Sequence, residues 1–176
     1  MRVHSLHSPL LEAHLVELRA GDRVFLSGTV LTARDAAHKR LVDEAAAGIP
    51  RAELIGATIY YCGPCPGTFG RKIVSAGPTT SGRMDPYTPD LLCYGVRALI
   101  GKGPRSAEVN HALLRHKAVY LVATGGAGAL LAESIMAYRV LAYPELGPES
   151  MLELQIRDMP LVVATDLHGG NIFERN

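Results

Sequence analysis

The stretch Ala118-Val119-Tyr120-Leu121-Val122-Ala123-Thr124-Gly125-Gly126-Ala127-Gly128-Ala129-Leu130-Leu131 joins a short apolar run to a glycine turn and then to an apolar helix. Ala118 to Ala123 lacks the polar alternation of a half-solvated strand, so it reads as a strand buried on both faces, as strands of parallel sheets are. The glycine turn can offer free N–H groups to a phosphate or carboxylate. Tight packing of a helix on the sheet accounts for its glycines equally well. The turn has neither the spacing of a dinucleotide fingerprint nor the lysine of a P-loop.

Working outward towards the N-terminus, Ser106 caps a helix reaching Lys117, with Val109, Leu113 and Leu114 inward. Arg97 to Ile100 reads as a short strand. Pro86 to Tyr94 reads as a helix with Pro89 early in it and Thr88 or Asp90 as cap. Arg71 to Ala76 is strand-like and pairs in a hairpin with the strand Ala57 to Cys62. Further back, Leu11, Leu15 and Leu18 lie at helical spacing behind a possible Ser8 cap. Arg23 to Thr32 reads as a strand broken at Gly28 by a bulge or a close backbone approach. Thr32 and Asp35 have the spacing of a capping box for a helix to Ala47. On the C-terminal side, Tyr138 to Ala142, Met151 to Ile156 and Leu161 to Thr165 are three strand-like runs before the polar turn Asp166-Leu167-His168-Gly169-Gly170-Asn171. Strands alternating with helices give an α/β fold, a mixed sheet with flanking helices, in one domain over residues 1–176.

With 176 residues the chain can bury a core without disulfide or metal staples. A formal net charge of +1 with no Lys/Arg block gives no general attraction to nucleic acid or membrane, so any anion recognition is local. His4, His7, Glu12, His14 and Glu17 interrupt the N-terminal apolar residues, and no transmembrane-length run follows. Three cysteines without a signal sequence argue for reduced thiols in the cytoplasm.

The residues with chemistry gather at strand ends. Gly77-Pro78-Thr79-Thr80-Ser81-Gly82-Arg83-Met84-Asp85 places hydroxyls at Thr79 and Thr80, a guanidinium at Arg83 and a carboxylate at Asp85 in one turn suited to an anion. Thr79, Thr80 or Ser81 can cap a helix starting near Arg83. Arg34 falls in the first turn of its helix, where the dipole disfavours a cation unless an anion lies near. Lys102, between Gly101 and Gly103, points to a ligand or sits in a plain surface turn. Asp35 with Lys39 reads as a solvated i,i+4 pair, and His38 as a satisfied helix-face histidine. Cys62-Gly63-Pro64-Cys65 has the letters of a thioredoxin motif, but Pro66, Gly67 and Gly70 would abort the helix that lowers such a thiol's pKa. With Cys93 the only other cysteine, a closed zinc site is also disfavoured.

Taken together, LSGTVLTARDAAHKR, IYYCGP, GPTTSGRMD, GKG, VYLVATGGAGALLA and TDLHGGN resemble, in order from about Leu10 to Phe173, the β subunit or C-terminal domain of class I iron-sulfur fumarate hydratases, and the related β subunit of L(+)-tartrate dehydratase. The resemblance implies a three-layered swivelling β/β/α domain. It implies a 4Fe-4S cluster held by cysteines of a separate α subunit, with no metal ligand on this chain. It also implies that Arg34, Thr79, Arg83 and Lys102 reach a four-carbon dicarboxylate, with Thr80 and Asp85 beside them. Thr79 is then the proposed base, helped by Arg83 or Asp85. TARD followed by SGRMD leans towards fumarate over tartrate. The expected function is a hydro-lyase β subunit, active only with its α subunit, with homodimerisation of αβ units left open. The alternatives are a tartrate or other hydroxy-dicarboxylate dehydratase subunit, or an anion-binding swivelling domain without turnover.

Overall fold

The computed structural model describes residues 1–66 and 73–174. In chain order the described elements are β1 (Val3–Ser8), α1 (Glu12–Glu17), β2 (Arg23–Thr32), α2 (Asp35–Ala46), β3 (Thr58–Tyr60), β4 (Cys65–Pro66), β5 (Ile73–Ser75), α3 (Thr88–Cys93), β6 (Ala98–Gly101), α4 (Ala107–Arg115), β7 (Val119–Val122), α5 (Gly128–Glu133), β8 (Ile135–Ala142) and β9 (Met151–Thr165). Short 3₁₀ turns lie at Ala52–Leu54, Ser81–Met84 and Pro144–Glu149. No helix among the described residues is long and apolar enough to cross a membrane.

The fold is mixed α/β. Strands β2, β3, β6 and β7 lie side by side and parallel. β9 runs antiparallel to both β7 and β2 and so closes the sheet into a five-stranded barrel, with β1 and β8 added at its flanks. The apolar runs at β3, β6 and β7 follow from this closure, since each strand has two dry faces. Tyr60, Ile100 and Leu121 point into the barrel core, while Ile59, Leu99 and Tyr120 point to a second core under the helices. Leu41 of α2, Leu91 and Leu92 of α3, and Val109 and Leu113 of α4 complete that second core. Burying each such large side chain contributes about 1.5–3 kcal/mol.

Several expectations are corrected here. Val3–Ser8 is a strand, and Ser8 ends it instead of capping α1: its Oγ lies 3.0 Å from Thr58 Oγ1, and the residue preceding α1 is Leu11, with no side-chain cap. The Thr32–Asp35 capping box is absent. Thr32 is still in β2, where its hydroxyl accepts a hydrogen bond from the Leu152 amide at 3.0 Å, so Arg34 becomes the N-cap residue with extended backbone. The helix expected near Arg83 is the single 3₁₀ turn Ser81–Met84, preceded by Thr80 without a side-chain cap. Tyr87 precedes α3, and neither Thr88 nor Asp90 is its N-cap. β5 pairs antiparallel with β4, not with β3, which is held inside the sheet between β2 and β6; Arg71 and Lys72 lie outside the described residues.

The two last strand-like runs are one strand, β9, which follows β8 to Ile156 and reaches β7 at Val162. Pro160 falls between, where that edge has no partner strand, as a proline inside a sheet requires. Ser106 does cap α4, accepting from the Val109 amide at 3.2 Å. Gly28 fills the expected role of a bulge with close approach. Its φ is +100°, and a Cβ there would stand 2.3 Å from the Ser8 carbonyl oxygen.

Candidate functional site

The four parallel strands end on the same side, and their following residues are Ala33-Arg34, Tyr61-Cys62, Lys102 and Ala123-Thr124. Crevices at the carboxyl ends of parallel strands are where α/β folds place ligands. The Gly77–Asp85 segment lies across this end of the barrel. Thr79 donates its amide to the Tyr61 carbonyl at 2.6 Å, and Thr80 forms an isolated parallel bridge with Lys102. Ser81 and Lys102 exchange two hydrogen bonds: Ser81 N–H to the Lys102 carbonyl at 2.9 Å and Lys102 N–H to Ser81 Oγ at 3.0 Å.

The three cations are held differently. Arg34 is a quarter exposed, with Nη2 3.5 Å from Glu149 Oε1. Gly63 makes room for it, since a Cβ there would stand 3.0 Å from Arg34 Nη1. Arg83 is half exposed; its Nε donates to Asp35 Oδ1 at 3.1 Å, and its Nη2 lies 3.0 Å from Asp35 Oδ2. That second approach is an ion pair without hydrogen-bond alignment, so Asp35 Oδ2 stays without a hydrogen-bond partner. Thus Asp35 pairs with Arg83, and Lys39 turns to Asp43 at 2.6 Å. Lys102 is partly buried along the glycine turn, where a Cβ on Gly125 would meet its Cδ at 3.7 Å. Among the described residues it has no carboxylate partner.

One glycine of the turn region serves packing. Gly128, the first residue of α5, abuts the segment after β5: a Cβ there would be 2.6 Å from Ser75 Oγ and 3.1 Å from Gly77 N. Asp85 is engaged inward, accepting from Arg105 Nε at 2.7 Å and from the Ser106 amide at 2.8 Å. Thr79 is partly buried and Thr80 exposed.

Four buried side-chain polar atoms among the described residues lack a hydrogen-bond partner, and three of them are Arg34 Nε, Asp35 Oδ2 and His38 Nε2. Buried polar atoms are nearly always satisfied, so three of them at the start of one helix single this place out as a candidate site. His38 is fully buried against the Tyr61 ring, at 5.1 Å between centroids. Its Nδ1 lies 2.9 Å from the Arg34 carbonyl, which only accepts, so Nδ1 carries the proton and Nε2 is bare. Burial pushes the imidazole pKa down from 6.5 to about 4.

Since the unfolded chain takes up this proton near pH 6.5 and the folded one only near 4, the stability it lends is whole above 6.5 and is lost as pH falls towards 4. At about 1.4 kcal/mol per pKa unit, about 3 kcal/mol is at stake. Urea unfolding at pH 7 and pH 4.5 should show this loss, and His38→Gln should flatten the slope between them.

The full length, residues 1–176, matches the family described as Fumarase C-terminus. The chain belongs to that family. Among relatives of the fumarase C-terminus chain, the anaerobic class I fumarate hydratase of Escherichia coli is 36% identical, over 97% of this chain and 32% of its own length. Fumarate hydratase 2 of Leishmania major is 36% identical over 92% and 29%. The L(+)-tartrate dehydratase subunit beta of Escherichia coli is 33% identical over 97% and 87%. The chain thus spans about a third of these fumarate hydratases and most of the tartrate dehydratase subunit.

The fumarase C-terminus chain also carries a functional candidate that its sequence did not reveal. Arg105 is buried beside the rings of Tyr61 and Tyr120, 5.2 and 5.1 Å from their centroids, and pairs with Asp85. A lone arginine between a proline and a helix cap gives no signal of burial. The cysteines offer no redox pair of the thioredoxin kind: Cys62 is buried, with burial pushing its thiol up to about 12, and the motif leads into β4 instead of a helix. Among the described residues no three His, Cys, Asp or Glu side chains converge as metal ligands.

Proposed function

We propose that this chain is the β subunit, or its equivalent, of an iron-sulfur hydro-lyase that interconverts fumarate and malate, and that the barrel with its helices is the swivelling β/β/α domain of such enzymes. The observation that carries this reading is that Arg34 Nε, Asp35 Oδ2 and His38 Nε2 lack hydrogen-bond partners and Lys102 has no carboxylate partner among the described residues, with Arg34 and Lys102 each just beyond the carboxyl end of a parallel strand. A four-carbon dicarboxylate needs two negative ends neutralised. Arg34, Arg83 and Lys102 supply the charge, with Arg34 and Arg83 exchanging Glu149 and Asp35 for the substrate's carboxylates. Removing the proton beside a carboxylate builds negative charge on its oxygens, and cations fixed there lower the barrier most. Thr79 is the base in this scheme, with Thr80 at the mouth of the site and Asp85 fixing the turn.

In this reading the three cysteines are not cluster ligands: Cys62 is a buried thiol, Cys65 and Cys93 are exposed, and among the described residues no three His, Cys, Asp or Glu side chains converge. The cluster belongs to a partner α subunit in this reading. It would supply a Lewis-acidic iron to the substrate hydroxyl. A site with Arg83 half exposed suits completion by a second chain, in reduced cytoplasmic surroundings. Because the relative of similar length is a tartrate dehydratase subunit, tartrate is the second substrate to try. Co-purification with the α subunit under anaerobic conditions, followed by assays with fumarate, malate and L(+)-tartrate, tests the proposal. Fumarate–malate interconversion is expected. Tartrate turnover alone would shift the substrate, and turnover of none would leave only an anion-binding domain.

A further inference from the structure

Two loops meet at this site, Thr79–Asp85 and Lys102–Ser106, and one buried side chain ties them together. Arg105 Nε donates to Asp85 Oδ1 at 2.7 Å, Nη1 to the Tyr61 hydroxyl at 3.3 Å and Nη2 to Thr88 Oγ1 at 2.7 Å. Thr88 Oγ1 in turn donates to the Met84 carbonyl at 2.9 Å. The guanidinium carbon lies 5.2 Å from the Tyr61 ring centroid and 5.1 Å from that of Tyr120. Each of those tyrosines has a second task in the site. The Tyr61 carbonyl holds the Thr79 amide, and the Tyr120 hydroxyl lies 2.8 Å from both Ser81 Oγ and the Gly103 carbonyl. Ser81 Oγ also accepts from the Lys102 amide, so this hydroxyl links Tyr120 to Lys102.

We infer that Arg105 is a positioning residue for the reaction proposed above: it touches no substrate, but it sets where Thr79 and Lys102 stand relative to each other. The inference rests on that reading for its consequence in turnover, not for its consequence in structure. A lysine keeps the charge and the Asp85 pair but cannot reach Asp85, Tyr61 and Thr88 together. A misplacement of about 1 Å costs about 10²-fold in rate. Arg105→Lys should therefore lower kcat about 10²-fold with KM far less affected, in a chain that is still folded.

Two measurements on the full chain in complex with its α subunit, wild type against Arg105→Lys and Arg105→Met, decide the matter. In hydrogen exchange, the amides of Thr79, Ser81 and Lys102 should exchange at least about tenfold faster in the variants, with those of Val119–Val122 unchanged. In steady-state kinetics, the kcat of Arg105→Lys should fall as stated per folded molecule. Unchanged exchange in the two loops, faster exchange throughout the barrel, or an unaltered kcat in a complex that turns over would each overturn the inference. If the wild-type complex turns over neither fumarate nor tartrate, the functional reading has failed and exchange alone judges Arg105. If Arg105→Met does not fold, Arg105→Lys carries both readouts.

Discussion

Lys102→Met is expected to lower the kcat of the assembled enzyme about 10²- to 10³-fold and to leave the thermal unfolding midpoint almost unchanged. The size follows from what Lys102 does and does not touch. Its backbone is fixed on both sides by Ser81, so the side chain starts from a defined point. Its ammonium meets no carboxylate among the described residues, whereas Arg34 faces Glu149 and Arg83 faces Asp35. A cation without an internal partner, aimed at a substrate whose carboxylate gains charge as a proton leaves, contributes mainly in the transition state; removing such a group costs about 10²- to 10³-fold. Methionine keeps the apolar stem that lies beside Gly125, so the packing survives. Arg83 should matter less than Lys102: it is half exposed and already pairs with Asp35, and solvent screens such a pair. Steady-state kinetics with fumarate and a melting curve check this. Equal loss on Lys102→Met and a surface lysine variant such as Lys39→Met would count against it.

The elements legible in the sequence are those whose cause is local. The run Ala118–Ala123 has no polar position because β7 is dry on both faces, and Ser106 caps α4 because nothing else competes for its hydroxyl. Thr32 has the same local spacing, yet the Leu152 amide on β9 takes its hydroxyl, a contact that no window around Thr32 contains. Closure of the sheet has the same character. It depends on β2 residues 23–31 pairing with β9 residues 153–162, and each strand alone reads as an ordinary strand. β1 is not legible as a strand because His4, Ser5 and His7 give it a polar look.

The site divides in the same way. Thr79, Arg83 and Lys102 stand out because glycine and proline punctuate the strand ends that carry them, and Arg34 because a cation at a helix start opposes the dipole. Their internal partners do not: Glu149 approaches Arg34 from the far end of the chain, and Arg105 looks like any surface arginine until Tyr61 and Tyr120 enclose it. The expectation of a satisfied helix-face histidine at His38 holds for one of its two nitrogens. Its Nδ1 is bonded to the Arg34 carbonyl and its Nε2 is not bonded at all.

Gly101→Ala should damage both stability and turnover, and for a reason of space alone. Gly101 ends β6 with a φ outside the left-handed region, so an alanine can adopt its backbone. The added Cβ, however, would stand 1.9 Å from Ser81 Oγ and 2.9 Å from Tyr61 Cδ2. Both neighbours are fully buried, and Tyr61 is held by the His38 and Arg105 contacts. Ser81 must therefore yield, leaving the Lys102 amide and the Tyr120 hydroxyl without it. Overpacking of this kind costs about 1–3 kcal/mol. The displaced turn also carries Thr79, and Lys102 is the very next residue, so a shift of about 1 Å should lower kcat about 10²-fold. Adding Ser81→Ala separates the two effects. It removes the closest clash, so the melting temperature should recover in part, but it also deletes the hydroxyl that joins the loops, so kcat should stay low. Full recovery of kcat in the double variant would mean that the Ser81 hydroxyl is not what aligns Thr79 with Lys102.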